Sequence, residues 1–199
     1  MICRRVPVDA LKRMKIQLLS LVVALFSVVI SSPVELDRTG IRINGRYTIL
    51  RGGSFQWFRI PQEEWEDRFQ RFTSLGYNFL DMYVAWRNHE ISPGVFDWST
   101  YNITRFLDLA KEFGIYVYFR PGPYITNEMD GGGFPYWVRA QVDKHLYNTT
   151  HSDGKMNLRS EEYDYMNAVE RYLSTLNDVI KPYLITNGGT IVFYAVENE

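Results

Sequence analysis

The sequence has little of the chemistry that holds disulfides or metal ions. Cysteine occurs once, at Cys3, so no internal disulfide can form and the fold must be stabilised by packing. The three histidines are His89, His145 and His151, and their separations do not match metal-ligand spacing. We therefore expect no metal site and no cofactor.

The residue patterns of nucleic-acid and nucleotide binding are also missing. The formal net charge is −1, which gives no basic surface for a nucleic acid. No G-x-G-x-x-G segment follows a first strand, and no G-x-x-x-x-G-K-[ST] segment occurs in the chain. These absences exclude the two common phosphate-binding loops, and we expect no nucleic-acid partner.

Aromatic residues, by contrast, are abundant, at 16% of the chain. One interpretation is core packing, because aromatic rings contribute much of the buried area of protein interiors. The other is a sugar-binding cleft, because flat amphipathic rings suit the C–H faces of pyranoses. Composition alone leaves both interpretations open.

Residues 1–32 differ in composition from the rest of the chain. An apolar run, Leu18 to Ile30, follows several basic residues and precedes Ser31 and Ser32. This order is typical of a secretory signal peptide. The run is shorter than the roughly 20 apolar residues of a membrane span, and an uncleaved anchor is the alternative. We expect a signal peptide at 1–32, the secretory pathway, an extracellular, lysosomal or vacuolar destination, and no membrane attachment after cleavage.

Turn signals predict a hairpin near the start of the folded part. Asn44-Gly45 lies between short extended runs, and both residues tolerate positive φ. Tyr47 to Leu50 is predicted to continue as a strand, and Gly52-Gly53 to mark where that strand leaves its sheet.

Beyond the hairpin, helical and extended segments alternate. The predicted helices cover about 61–76, 102–113 and 161–180, and the predicted strands cover 78–86, 115–119 and 191–196. The apolar side of the last helix is predicted to hold Met166, Val169, Leu173, Leu176 and Ile180. Strands that alternate with helices predict parallel βαβ units. An open doubly wound sheet and a (β/α)8 barrel both satisfy this pattern.

Polar residues crowd the end of each predicted strand. They are Gln56 and Arg59, then Tyr83, Trp86, His89 and Glu90, then Arg120 and Glu128, and finally Asn198 and Glu199. A barrel places its active site at this end of its strands. The predicted fold class is therefore α/β, a (β/α)8 TIM barrel of which about the first four βα units are present. His89-Glu90 is interpreted as a structural pair at the rim rather than as a catalytic dyad.

Four stretches of the sequence together resemble one enzyme family. They are "GYNFLDMYVAWRNHEISPGVFDW", "FLDLAKEFGIYVYFRPGPYI", "GGGFPYWV" and "VENE". In this order they resemble glycoside hydrolase family 35, the β-galactosidases, over about Gly40 to Glu199. The most specific signal is the R-P-G-P-Y-I block with N-E after it.

The resemblance implies a retaining β-galactosidase barrel over residues 33–199, with a β-galactoside as its substrate. By it, Glu199 matches the acid/base glutamate. The substrate-binding positions that it implies are Tyr83, Thr126, Asn127, Glu128 and Asn198. Retaining hydrolysis needs two carboxyl groups roughly 5–5.5 Å apart, and the family's nucleophilic glutamate belongs to a later strand than residues 1–199 contain. We therefore expect an amino-terminal part of the barrel that is inactive by itself.

Two other functions stay open. Thr126 and Asn127 depart from the residues that are usual in the family, which leaves room for a related barrel that acts on another β-glycoside. The second is a truncated product that binds a sugar or a partner without turnover, because a half-barrel exposes two sheet edges. The sequence predicts no particular oligomeric state.

Overall fold

A computed structural model of the protein describes residues 32–138 and 158–197. All elements named below lie within Pro33–Glu199. Among the residues described, no helix combines the length and the apolar character that crossing a membrane requires.

A small antiparallel sheet precedes the main sheet. It contains β1 (Val34–Leu36), β2 (Ile41–Ile43) and β3 (Arg46–Tyr47), in that order. The predicted turn between β2 and β3 is confirmed, since Asn44 and Gly45 have φ of 49° and 76°, the left-handed values that a tight two-residue hairpin turn requires.

Four strands of the described residues form one parallel sheet. Its spatial order is β4 (Gly52–Ser54), β5 (Phe79–Tyr83), β8 (Tyr116–Arg120) and β9 (Ile191–Tyr194). A separate antiparallel pair, β6 (Glu90–Ser92) and β7 (Val95–Phe96), follows β5. The helices are α1 (Trp65–Ser74), α2 (Ile103–Glu112) and α3 (Tyr163–Ile180). The predicted parallel βαβ units are confirmed.

The first parallel strand corrects the sequence prediction. The strand predicted at Tyr47 to Leu50 is wrong beyond Tyr47, and Gly52 and Gly53 begin β4 instead of ending a strand. A Cβ atom at Gly52 would lie 1.5 Å from the carbonyl oxygen of Phe79. Glycine is therefore needed here for the close approach of two backbones, not for a chain reversal.

Local signals fix the helices close to their predicted bounds. The Asn102 side chain caps α2, because its Oδ1 accepts a 2.9 Å hydrogen bond from the Arg105 N–H. In α3 the buried side chains are Tyr165, Ala168, Val169, Tyr172, Leu176 and Ile180. Met166 is 46% exposed, so its predicted place on the apolar side is wrong.

The helices pack on one face of the parallel sheet. Side chains on that face, such as Leu80, Met82, Val117 and Phe119, are fully buried in one cluster with residues of α1, α2 and α3. The alternate residues of the same strands lie on the opposite face, where all but the buried Tyr83 are only half-buried. A doubly wound sheet is covered by helices on both faces and reverses its strand order. The one-sided cover and the sequential strand order therefore favour the barrel.

Candidate active site

Two polar side chains meet where adjacent parallel strands end. Tyr83 is the last residue of β5, Arg120 is the last residue of β8, and the two are paired in register. The chain then leaves β8 through a loop that carries Glu128 in a short 3-10 turn, Thr126–Glu128. Because the carboxyl ends of parallel strands share one edge of the sheet, this loop returns to the end of β5.

The loop after β8 has a tight and partly strained backbone. It is closed by a 2.9 Å hydrogen bond from the Ile125 N–H to the carbonyl oxygen of Gly132. Thr126 has φ of 54°, an uncommon value for a β-branched residue. Its hydroxyl donates to the Glu128 carboxylate two residues later. Backbone strain of this kind clusters at ligand sites, which makes the loop a candidate for binding.

Arginines from two other strand-end loops donate hydrogen bonds to the backbone of the loop after β8. Arg59, which follows β4, donates to the carbonyl oxygen of Glu128. Arg87, which follows β5, donates to the carbonyl oxygen of Asp130 over 3.2 Å. The sequence placed Arg59 at a strand end but did not predict this role, since its partner is a backbone atom far along the chain.

Tyr83 and Glu128 are direct neighbours in the structure. The Glu128 carboxylate lies close enough to the Tyr83 phenol to act on it electrostatically. Tyr83 is 6% exposed. Burial raises the pKa of the Tyr83 phenol, the nearby Arg120 opposes that rise, and the carboxylates of Asp81 and Glu128 add to it. The phenol therefore stays protonated and can donate at neutral pH.

An ion pair beneath Tyr83 links three of the parallel strands. Arg120 donates to the Asp81 carboxylate over 3.2 Å, and its guanidinium carbon lies 4.2 Å from the centre of the Tyr83 ring. Asp81 also accepts a 3.2 Å hydrogen bond from the Ser54 hydroxyl. Both charged side chains are less than a fifth exposed. Sequence reasoning missed Asp81, although its place two residues before Tyr83 puts it on the same face of β5.

The other predicted site residues are only partly placed. The Asn127 backbone lies in the turn between Thr126 and Glu128, while its side chain is not among the parts that the structure describes. Asn198 and Glu199 lie outside the described residues altogether. The roles predicted for these residues stay predictions.

Trp86, His89 and Glu90 contribute to the core and not to this edge, and all three are fully buried. The Trp86 ring N–H donates to one carboxylate oxygen of Glu90 over 2.7 Å, and Arg171 donates to the other over 2.8 Å. Glu90 therefore ties α3 to the segment after β5. Within residues 32–138 and 158–197, no three His, Cys, Asp or Glu side chains converge as a metal site requires.

Comparison with known proteins identifies the family to which this chain is similar. The family model of glycosyl hydrolases family 35 matches residues 40–199. The chain is 40% identical over 148 residues to a β-galactosidase of Mus musculus, covering 74% of this chain and 21% of that protein. It is 35% identical over 179 residues to an exo-β-D-glucosaminidase of Thermococcus kodakarensis, covering 83% of this chain and 22% of that protein.

A solved structure agrees on the fold. The exo-β-1,4-mannosidase Op5Man5 from Opitutaceae bacterium strain TAV5 superposes with a TM-score of 0.56 at 20% identity, over 86% of this chain and 28% of that one. This likeness supports a TIM-barrel-like α/β fold. The chain spans about a fifth of the length of the curated relatives it matches. The match over residues 40–199 and the identity with these relatives establish that the chain belongs to glycosyl hydrolases family 35.

Proposed function

We propose that residues 33–199 form the first four βα units of a retaining β-galactosidase barrel that releases terminal β-galactose. The observation that carries the proposal is that Tyr83 and Glu128, which come from different strand ends, lie side by side at the edge where a barrel builds its active site. Family membership supports the choice of a glycosidase.

In this proposal the Tyr83–Glu128 pair binds the hydroxyl groups of a galactose ring. A carboxylate accepts from two sugar hydroxyls, and the phenol offers one donor and one acceptor. Arg59 and Thr126 hold Glu128 in place before the sugar arrives, so little ordering cost is left for binding. Asn127 and Asn198 complete the predicted set of polar contacts.

The proposed chemistry uses Glu199 twice. In its protonated form Glu199 donates a proton to the glycosidic oxygen, while a second carboxylate attacks the anomeric carbon and the aglycone leaves. Glu199 then accepts a proton from the water molecule that hydrolyses the glycosyl ester. The two carboxyl groups of such a pair stand roughly 5–5.5 Å apart, and the second is assigned to a later strand of the family's barrel.

We further propose that residues 1–32 act as a signal peptide, which directs the protein to an extracellular, lysosomal or vacuolar site. The order of basic, apolar and small residues supports this assignment.

Saturation-transfer NMR on purified 1–199 tests the sugar site. We expect transfer to galactose, and a loss of affinity of about ten-fold in Glu128→Gln, because a hydrogen bond to a charged group contributes roughly 1.5–3 kcal/mol. Glu112→Gln, on the exposed end of α2, is the control and should bind as the wild type does. Equal binding by wild type and Glu128→Gln would contradict the proposal.

Catalysis is tested on the same chain with a chromogenic β-galactoside. We expect no hydrolysis by 1–199 above a Glu199→Gln control, because only one of the two required carboxyl groups is assigned within these residues. Hydrolysis by 1–199 that Glu199→Gln abolishes would mean that both carboxyl groups lie within this chain.

A related substrate is the second candidate. The relative from Thermococcus kodakarensis is an exo-β-D-glucosaminidase, and Thr126 and Asn127 depart from the usual family residues beside Glu128. An amino sugar would bring a positive charge to the Glu128 carboxylate. Glucosamine that displaces galactose in the NMR experiment at a lower concentration would favour this reading.

A further inference from the structure

A cluster of four side chains joins two of the strand-end loops. We define the Arg159 cluster as Tyr124, which follows β8, Arg159 and Tyr165, which lie before and in α3, and Glu197, which follows β9. Arg159 has φ of 64°, in the left-handed region that a long side chain rarely adopts. A strained backbone at this position requires compensating contacts around it.

Arg159 makes three contacts at once. Its guanidinium donates to the Glu197 carboxylate over 3.0 Å, and both side chains are 34% exposed. The same guanidinium lies 4.5 Å from the centre of the Tyr124 ring. Burial raises the pKa of Tyr165, which is 5% exposed, and the Arg159 backbone beside its hydroxyl opposes that rise. One residue thus contacts the segments that follow β8 and β9 and also the start of α3.

Tyr124 is held firmly on its other sides. A Cβ atom at Gly132 would lie 2.3 Å from the Tyr124 ring, so the ring rests directly on the glycine backbone. The ring of Phe134 stacks on Tyr124 at 5.9 Å and meets Tyr165 edge-on at 6.1 Å. Tyr124 therefore cannot shift without moving the loop that carries Glu128 four residues later.

We propose that Arg159 is a positioning residue that fixes the Glu128 loop and the segment after β9 relative to each other. Its guanidinium is flat enough to stack on Tyr124 and still pair with Glu197, which a lysine ammonium cannot do equally well. Glu197 lies two residues before Glu199 in the chain. The inference rests on the proposed function only in naming these two segments as parts of one sugar site.

Hydrogen exchange of the 1–199 chain tests the link directly. The Ile125 amide, bonded to Gly132, reports on the loop, and the Ala195 amide, bonded to Phe119, reports on the end of β9. In Arg159→Met both amides are expected to exchange about five-fold faster, the factor that a partly exposed ion pair plus a cation–π contact provides. Arg159→Lys should restore part of the protection.

A matched control removes an ion pair elsewhere. Arg71 pairs with Asp67 over 2.8 Å on the exposed side of α1, so Arg71→Met deletes a similar contact far along the chain from both reporter amides. It should leave the Ile125 and Ala195 amides at wild-type rates. Wild-type rates in Arg159→Met, or equal acceleration by Arg71→Met, would overturn the proposal. Glu197→Gln removes the same ion pair from its other side but keeps Arg159 on the Tyr124 ring, so it should accelerate both amides by less than Arg159→Met does.

Galactose binding separates this inference from the proposed function. With the wild type binding galactose, Arg159→Met should bind it several-fold more weakly at an unchanged folded fraction, and Arg159→Lys should recover part of the affinity. A wild type that does not bind galactose overturns the proposed function and with it the sugar-site role of Arg159. A wild type and an Arg159→Met variant that bind equally well overturn the positioning role alone.

Discussion

Replacing His89 with phenylalanine should reduce the acid sensitivity of the fold. His89 is fully buried, and its ring stacks on Trp98 at 4.6 Å and on Trp57 at 6.1 Å. Its Nδ1 lies 3.3 Å from the carbonyl oxygen of Asp97, while Nε2 is buried and has no hydrogen-bond partner among residues 32–138 and 158–197. Burial lowers the pKa of His89 from 6.5 to about 4. A proton on Nε2 would place an unpaired charge among aromatic rings.

The sign and size of the effect follow from this pKa. The unfolded chain binds a proton at His89 near pH 6.5, whereas the folded chain binds it only near pH 4. The contribution to stability is therefore complete above pH 6.5 and is lost as the pH falls toward 4. The difference in pKa corresponds to about 3 kcal/mol in total, of which about 2 kcal/mol is lost between pH 7 and pH 5.

Urea denaturation at pH 7 and pH 5 measures this loss. Between these pH values the wild-type free energy of unfolding should fall by about 2 kcal/mol more than that of His89→Phe. The neighbouring Asp97 does not interfere, because hydrogen bonds from Ser99 and Thr100 hold its pKa well below the usual range and it stays ionised. Equal falls in wild type and His89→Phe would refute the argument that burial keeps this ring neutral.

Three further substitutions test packing, a buried charge and a helix cap. Gly132→Ala should lower the melting temperature by several degrees. The backbone φ of 69° and the Tyr124 ring, 2.3 Å from the new Cβ, together cost more than about 1 kcal/mol. An unchanged melting curve would contradict the close contact. Glu90→Leu should lower the free energy of unfolding in urea by about 3 kcal/mol, since a buried partner of Arg171 is lost, and Glu90→Gln should cost less. Asn102→Ala should cost about 1 kcal/mol in the same assay through the lost α2 cap, and Asn102→Asp should restore most of it.

The sequence predicts an element well where its shape depends on residues that are close together in the chain. The Asn44-Gly45 turn depends on two φ angles, and the sequence identifies residues that adopt them. The strand and helix bounds follow apolar periodicity, which reports burial against any neighbour. The prediction for Gly52 is wrong because the role of this glycine depends on a residue that is distant in the sequence. The reason for a glycine there is the backbone of Phe79, a residue from another strand.

The candidate site also has features that the sequence predicts and features that it does not. That Tyr83 and Glu128 lie together follows from the rule that parallel strands end at one edge. The contacts that hold them depend on pairs distant in sequence, such as Arg59 with the Glu128 carbonyl and Arg120 with Asp81. No periodicity or spacing marks such pairs. The role of Glu199 stays a prediction from the family resemblance.

The order of the parallel strands bears on how this chain acquires its structure. Each of β5, β8 and β9 pairs with the parallel strand that precedes it along the sequence. A polypeptide with this arrangement can add one strand at a time to a growing edge as it leaves the ribosome, and no earlier pairing must be broken to admit a later one. Co-translational folding can therefore proceed stepwise, with each loop closed before the next segment is synthesised.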